Sequence, residues 1–398
     1  MSNKVRINAD YPVVRESDEL FSRAQYLIPS ATHSLAAGAG QYVNGVAPKY
    51  IVRGKGSHVW DIDGNEYLDY NMAFGPLSLG YTYAKVDEAI KRQLDDGITF
   101  SLSHPLEVEV AELISELVPN ADQVRFSKTG ADVTSAAVRA ARAFTGRNKV
   151  LCCGYHGWHD WFISITDRNR GVPKPVSDLT YTFEYNNLKT VANAIDRDTA
   201  CVILEPVAFQ APRDNFLHKL QDLCTDKGVL LIFDEMWTGF RLELGGAQEY
   251  FGVKPDLACF SKAVANGMPL SVLTGRRDIM SLLDDEVFIH TTFGGETLSL
   301  AAARATITEL KEKNVPYYLA TQGKRLKEGY NMIAGKLNMD YTVCTGYNCR
   351  TAVSFNQEAG DPMELLSLMQ QEMIRCGILW SGVHNISYSH SDRDIDYT

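Results

Sequence analysis

Residues 228–275 read GVLLIFDEMWTGFRLELGGAQEYFGVKPDLACFSKAVANGMPLSVLTG. Three short apolar runs of strand length stand out: GVLLIF, LACF and SVLTG. Two of them end abruptly in chemistry, the first at Asp234-Glu235 and the second at Ser261-Lys262. An unbroken apolar run bounded by turn residues reads as a strand buried on both faces. A carboxylate at the tip of such a strand is costly to bury unless something cationic meets it. Lys262 is followed by Ala263, Ala265, Gly267 and Pro269, so nothing bulky crowds it. A solvated surface lysine needs no such room, whereas one that must lose its proton and form a covalent bond does.

The same pattern extends upstream. QVRF, KVLCC and ACVILEP are further strand-like runs between about 122 and 275, with helical stretches at 188–196 and 215–226 between them. That alternation predicts βαβ units and a mostly parallel sheet. Ahead of it, HVWDIDGNEYLDY (58–70) alternates around Asp63-Gly64, a hairpin signal. A short helix is expected from Ser17 to Leu27, and 84–117 carries helical periodicity broken near Asp96-Gly97 and Pro105. Downstream, 298–314 and 316–338 read as long helices. The strands AVSF and GILWS and a helix at 362–375 then make an α+β region. SHSDRDIDYT reads as a helix start, expected to be cut short by the end of the sequence. The division expected is an N-terminal segment 1–57, a large domain 58–297 and a C-terminal α+β domain 298–398.

The chain has 398 residues and a net charge of -10, from 39 basic and 49 acidic side chains. That balance argues against nucleic acid or an anionic membrane as partner. No leader-type apolar region and no bilayer-length run is seen. The eight cysteines are scattered without a CxxC, which suits buried thiols in a reducing cytoplasm better than disulfides or a zinc site. The expectation is a cytoplasmic protein with no metal centre.

Open α/β sheets bind ligands beyond the carboxyl ends of their strands. Those ends carry Thr129-Gly130-Ala131 before an Ala-rich helix, GYHGWHDW after KVLCC, Glu205 after ACVIL, then Asp234 and Lys262. A helix N-terminus among small residues suits a phosphate, although the GxxxxGK[ST] loop is absent. A phosphate cradle, an aromatic ring to stack (Tyr155), a carboxylate for a ring nitrogen and a lysine for an aldehyde together describe pyridoxal phosphate.

The stretches WDIDGNEYLDY, RFSKTGADVTSAAVRAARAFTGR, YHGWHDW, VILEP, FDEMWTGFR, PDLACFSKAVANGMP and TTFGGETLSLAAA, in this order and spacing, resemble the class III aminotransferases of the fold-type-I pyridoxal phosphate family. The likeness is greatest to the glutamate-1-semialdehyde aminomutase branch and runs from about Ile28 to the end. It implies an α/β fold: a large domain with a mostly parallel seven-stranded sheet and a smaller α+β C-terminal domain. By position, it implies that Lys262 forms a Schiff base with the cofactor and that Asp234 keeps the pyridine nitrogen protonated. Gly130 and Ala131 would give backbone N–H groups to the phosphate, with Thr129 beside them. Tyr155 would stack on the ring, with His156 and Glu205 near it. Thr292 would reach the phosphate of the neighbouring subunit's cofactor, so the resemblance also implies a homodimer with shared active sites.

The chain departs from that branch where substrate is held. The aminomutase has an arginine in its N-terminal loop, and Ala37 falls at about that place. Gly382 or a neighbour stands where it has a C-terminal glutamate, and its Ser-Gly-Thr cradle is Thr-Gly-Ala at 129–131. Cofactor machinery is kept while substrate machinery is changed. The expectation is an aminotransferase moving an amino group from an amino acid, glutamate first, to an aldehyde or ketone of a sugar, as in aminomutase-like enzymes of sugar modification. One such acceptor is the C8 aldehyde of an oxidised 3-deoxy-octulosonate, which gives an 8-amino sugar for lipopolysaccharide. The alternative is an aminomutase-type isomerase. His33, Ser34, Trp158, His159, Trp237, Arg241 and His384 are candidates for substrate contacts, with Arg241 suited to a donor carboxylate through its planar fork.

Overall fold

A computed structural model describes residues 10–207 and 210–398. The strands among them run, in chain order, β1 (Ile51–Lys55), β2 (His58–Asp61) and β3 (Glu66–Asp69), then β4 (Gln123–Ser127), β5 (Lys149–Cys153), β6 (Thr180–Thr182), β7 (Thr199–Leu204), β8 (Leu230–Asp234), β9 (Leu257–Phe260) and β10 (Ser271–Gly275), and last β11 (Thr342–Tyr347), β12 (Arg350–Phe355), β13 (Ile378–Leu379) and β14 (Val383–Asn385). The chain groups into two compact units, residues 85–313 and residues 10–84 with 314–398.

The central unit, 85–313, is built on a seven-stranded sheet of order β4-β10-β9-β8-β7-β5-β6. β9, β8, β7, β5 and β6 are parallel to their neighbours. β10 runs antiparallel to both β9 and β4. Two reversals cancel, so β4 points the same way as β9. The carboxyl ends of six strands and the amino end of β10 therefore share one edge. β7, β8 and β9 are buried at every residue, which is why their sequences are unbroken apolar runs. Burying a side chain such as Ile203 or Ile232 contributes about 1.5–3 kcal/mol. Val133, Ala137, Val138 and Ala141 of helix Gly130–Thr145 share one core with Cys201, Ile203, Ile232, Cys259 and Leu273. A capping box of Thr129 and Asp132 starts that helix, and Gly146, at φ +65, ends it. β6 was not legible in sequence. It is a three-residue edge strand, TYT, with two of its residues exposed.

The other unit holds two sheets, β1-β2-β3-β13 and β11-β12-β14. The 58–70 hairpin forms as expected, pairing His58 with Leu68 and Val59 with Tyr67. Its outer strand also pairs in parallel with β13, Ile378 opposite Leu68. The hairpin therefore groups with the C-terminal residues, and a boundary at 57/58 falls inside this unit. A boundary at 297/298 falls inside the central unit. There, helix Thr297–Glu312 lies along helix Pro105–Leu117, with ion pairs Arg304–Glu109 and Lys311–Glu116.

The terminal helix Asp392–Tyr397 is capped by Ser391 and pinned through Asp394, which accepts from Ser57 Oγ and lies 3.6 Å from His58 Nε2. Asp394 raises the His58 imidazole above its ordinary range against the opposing effect of burial, and Glu66 adds to this. Although burial works the other way, His58, Ser391 and Ser57 hold the Asp394 carboxyl down to about 2, so it stays ionised across the histidine range. A raised histidine stabilises most below its unfolded value of about 6.5, and that contribution is lost as pH rises through the folded value. Thermal melts of His58→Gln should therefore fall below wild type at about pH 6, the gap closing by about pH 9. A gap that widens with pH would contradict this pairing.

Candidate active site

The shared edge of the central sheet collects the residues that ended the apolar runs. Asp234, the last residue of β8, is buried. Its Oδ2 lies 2.7 Å from His156 Nδ1, and its Oδ1 accepts Met236 N at 3.1 Å. Both side chains of the His156–Asp234 pair are essentially solvent-free, at 0% and 1% exposure. An acid that deep persists as an anion only because the histidine meets it. Each Asp234 oxygen has one partner among the described residues and can accept two, so the carboxylate has room for another donor. His156 Nε2 is buried with no hydrogen-bond partner among the described residues.

Glu205 follows β7 and accepts Tyr155 N at 2.8 Å. A side chain on Gly154 (φ +111) would strike Glu205 Oε1 at 2.8 Å, so glycine there lets the carboxylate reach the loop backbone. Burial first, and Asp234 second, push the Glu205 carboxyl up. The Tyr155 amide, His156 and Lys262 pull against them. That balance places Glu205, Asp234, His156 and Lys262 in one electrostatic neighbourhood. Lys262 follows β9 and sits at φ +46, a left-handed conformation that costs a side-chain-bearing residue about 1–2 kcal/mol. Such strain persists only where the surroundings impose it. Neither the strain nor the histidine brace carries a local sequence signal.

At the end of β4, Asp132 Oδ2 accepts the amides of Thr129 at 2.8 Å and Lys128 at 3.3 Å, and Thr129 Oγ1 accepts the amide of Asp132 at 3.3 Å. The first helical amides, Gly130 and Ala131, have no partner within the helix by its geometry and are the ones an anion would take. The loop after β5 is held on this helix. Thr134 Oγ1 donates to His156 O at 2.8 Å, and Trp161 Nε1 donates to Ser135 Oγ at 2.9 Å, which also lies 2.7 Å from His159 Nδ1. Gly157 lies so close to Ala131 that a Cβ would come within 2.6 Å of the alanine Cβ. Tyr155 and Trp158 on this loop are exposed, as is Thr292 in the 290–296 turn.

A class-III aminotransferase family model matches residues 42–343. The chain belongs to the class-III aminotransferases. This aminotransferase is 33% identical over 96% of its length to the 3-aminobutyryl-CoA aminotransferase of Cloacimonas acidaminovorans, covering 94% of that protein. It is 37% identical over 81% of its length to the glutamate-1-semialdehyde 2,1-aminomutase of Sulfurihydrogenibium azorense, covering 79% of that protein. Among solved structures, the FumI protein of Sphingopyxis sp. MTA144 in its PLP internal aldimine form superposes with a TM-score of 0.89 at 27% identity, over 96% of this chain and 94% of that one. The fold is that of the fold-type-I transaminases, and pyridoxal 5'-phosphate is the cofactor. The residues present fit it. Helix-start amides, a braced buried carboxylate with an acceptor position open and a lysine at a strained strand tip meet at one sheet edge.

The substrate candidates fare differently. Trp158 stands exposed on the anchored loop, edge-on to His159. His33 and Ser34 are exposed in the other unit, on a turn closed by Thr32 Oγ1. Trp237 is buried, and Arg241, expected to present its fork to a carboxylate, is 0% exposed with its guanidinium over the Trp237 ring. His384 is likewise interior to its unit, bonded to Thr351 Oγ1 and set edge-on to Tyr70. Burial, with His390 nearby, pushes its imidazole down to about 3, so it serves as a neutral packed ring. Arg241 and His384 are not carried forward as substrate residues, because burial closes them to a ligand.

Proposed function

We propose that this aminotransferase works between two molecules, taking the amino group of L-glutamate or a similar amino acid and passing it to the carbonyl of a second small molecule. The meeting of Lys262, Asp234, His156 and Glu205 at one sheet edge carries the reading. Pyridoxal phosphate, when bound, supplies an aldehyde that joins amines and a ring that accepts the electron pair left as a proton departs the donor carbon. Asp234 holds a proton on the ring nitrogen, and His156 keeps the carboxylate oriented. Gly130 and Ala131 amides grip the phosphate with the Thr129 hydroxyl beside them, and Tyr155 supplies the stacking face. Lys262 is the covalent attachment point. Once displaced by the donor amine, it is free to move a proton between the donor carbon and the cofactor's C4′ carbon.

The acceptor we favour is an aldehyde or ketone of a sugar or sugar acid, the C8 aldehyde of an oxidised 3-deoxy-octulosonate in particular. Support comes from the exposed plane of Trp158, from the exposed polar pair His33 and Ser34, and from Ala37 where an arginine is expected in the aminomutases. A second reading, isomerisation of glutamate semialdehyde, is favoured by the 37% identity to an aminomutase. A homodimer fits the exposed apolar side chains Phe100, Leu102, Val108 and Phe293 near Thr292, with Thr292 reaching the neighbour's cofactor. We place the enzyme in the cytoplasm, in keeping with eight free cysteines.

The test is a half-reaction. L-glutamate alone should bleach the colour of the PLP-loaded protein and release 2-oxoglutarate, and a sugar aldehyde should then restore the colour. Turnover of glutamate semialdehyde with no second substrate would favour the isomerase. Release of no oxo acid from any amino-acid donor would end the aminotransferase reading.

A further inference from the structure

The chemistry above leaves one partly buried charge pair at the sheet edge unused. Lys128 Nζ lies 2.7 Å from Glu296 Oε1 and 3.1 Å from Pro269 O, with the two charged side chains only 17% and 11% exposed. Its partners come from distant parts of the chain. Lys128 immediately precedes Thr129-Gly130-Ala131. Pro269 lies just before β10, whose reversed direction brings that end to the shared edge, and it closes the loop that begins at Lys262. Glu296 ends the turn that carries Thr292 and caps helix Thr297–Glu312, accepting Leu298 N at 2.9 Å and Ser299 N at 3.1 Å. Ser299 Oγ donates to the same Pro269 O at 3.1 Å, and Ser261 Oγ closes the lysine loop on Leu270 O at 2.7 Å.

Glu296 already answers the Lys128 charge, so this ammonium is placed to act as a strut between loops rather than as an anion ligand. An exposed pair of this kind is worth little, because water screens it and two long side chains must be ordered. Here the stems are largely covered, and Glu296 is fixed independently by the helix amides. We propose that Lys128 is a positioning residue. By gripping Glu296 and Pro269 O, it holds the phosphate cradle, the Lys262 loop and the Thr292 turn in one arrangement and tightens cofactor binding without touching the cofactor. The inference rests on the pyridoxal phosphate site proposed above.

The experiment titrates apo-protein with PLP and measures the dissociation constant, alongside the melting temperature of the apo-protein. Lys128→Met and Glu296→Gln should each weaken PLP binding about tenfold, and the double variant no more than either alone, because both remove one shared contact. Lys128→Arg, which keeps the charge and the donors, should recover most of the loss. An unchanged PLP constant in both variants, with only the apo melting temperature lowered, overturns the proposal and leaves a fold-stabilising pair. Tighter PLP binding in Glu296→Gln also overturns it, since that result makes freed Lys128 a phosphate ligand. Failure of the wild-type chain to take up PLP strikes at the cofactor site itself. Normal wild-type uptake with unaltered variants strikes at this inference alone.

Discussion

Lys262→Ala should leave the chain folded and reduce turnover by about 10⁴-fold or more, since one side chain serves as both nucleophile and proton carrier. The fold should survive for a local reason. The residue is partly exposed, and alanine at φ +46 bears the same backbone strain that lysine already bears. The phosphate and ring contacts come from other strands, so PLP should still bind, though without a covalent link. Borohydride reduction followed by peptide mapping reads this directly, with label on residue 262 in wild type and none in the variant. A variant that turns over at about a tenth of the wild-type rate would remove Lys262 from the chemistry.

Asp234→Asn should cost on the order of 10²–10³-fold in the donor half-reaction, comparable to losing a preorganised electrostatic partner. The amide has the shape of the carboxylate and can still accept Met236 N, so packing is kept. It carries no charge, so it cannot hold a proton on a ring nitrogen. It also leaves His156 Nδ1 facing a neutral group in a site with essentially no solvent. The readout is the single-turnover rate with L-glutamate at saturating PLP, which separates chemistry from cofactor loss. A rate within about threefold of wild type would make Asp234 a structural carboxylate, whatever its place at the strand tip.

Much of this site was legible from sequence because its residues sit at strand ends, and strand ends are local events. Asp234 and Lys262 each close an unbroken apolar run, and Thr129 to Asp132 carry a capping box that sequence alone displays. The helix at 362–375 and the broken helix over 84–117 appear where periodicity put them. Arg241 was attractive by residue type, but burial depends on what packs over it from elsewhere in the chain. His384 misled for the same reason, its ring closed in by Tyr70 and Trp380. Gly154 and Gly157 read as ordinary loop glycines, and their close approaches to Glu205 and Ala131 exist only in three dimensions.

The sequence by itself determined the order of elements, the buried character of the central strands and the chemistry at their tips, since apolar runs, caps and turn residues act over a few neighbouring positions. The tertiary structure alone decided which of those tips meet. The reversal of β10 brings Pro269 to the edge that holds Lys262, and it joins Lys128 to Glu296 across 168 positions of chain. Parallel pairing of β3 with β13 draws the hairpin to the C-terminal residues. Periodicity reports how one segment is buried, but partners far apart in the chain follow from strand order, which no short stretch of residues encodes.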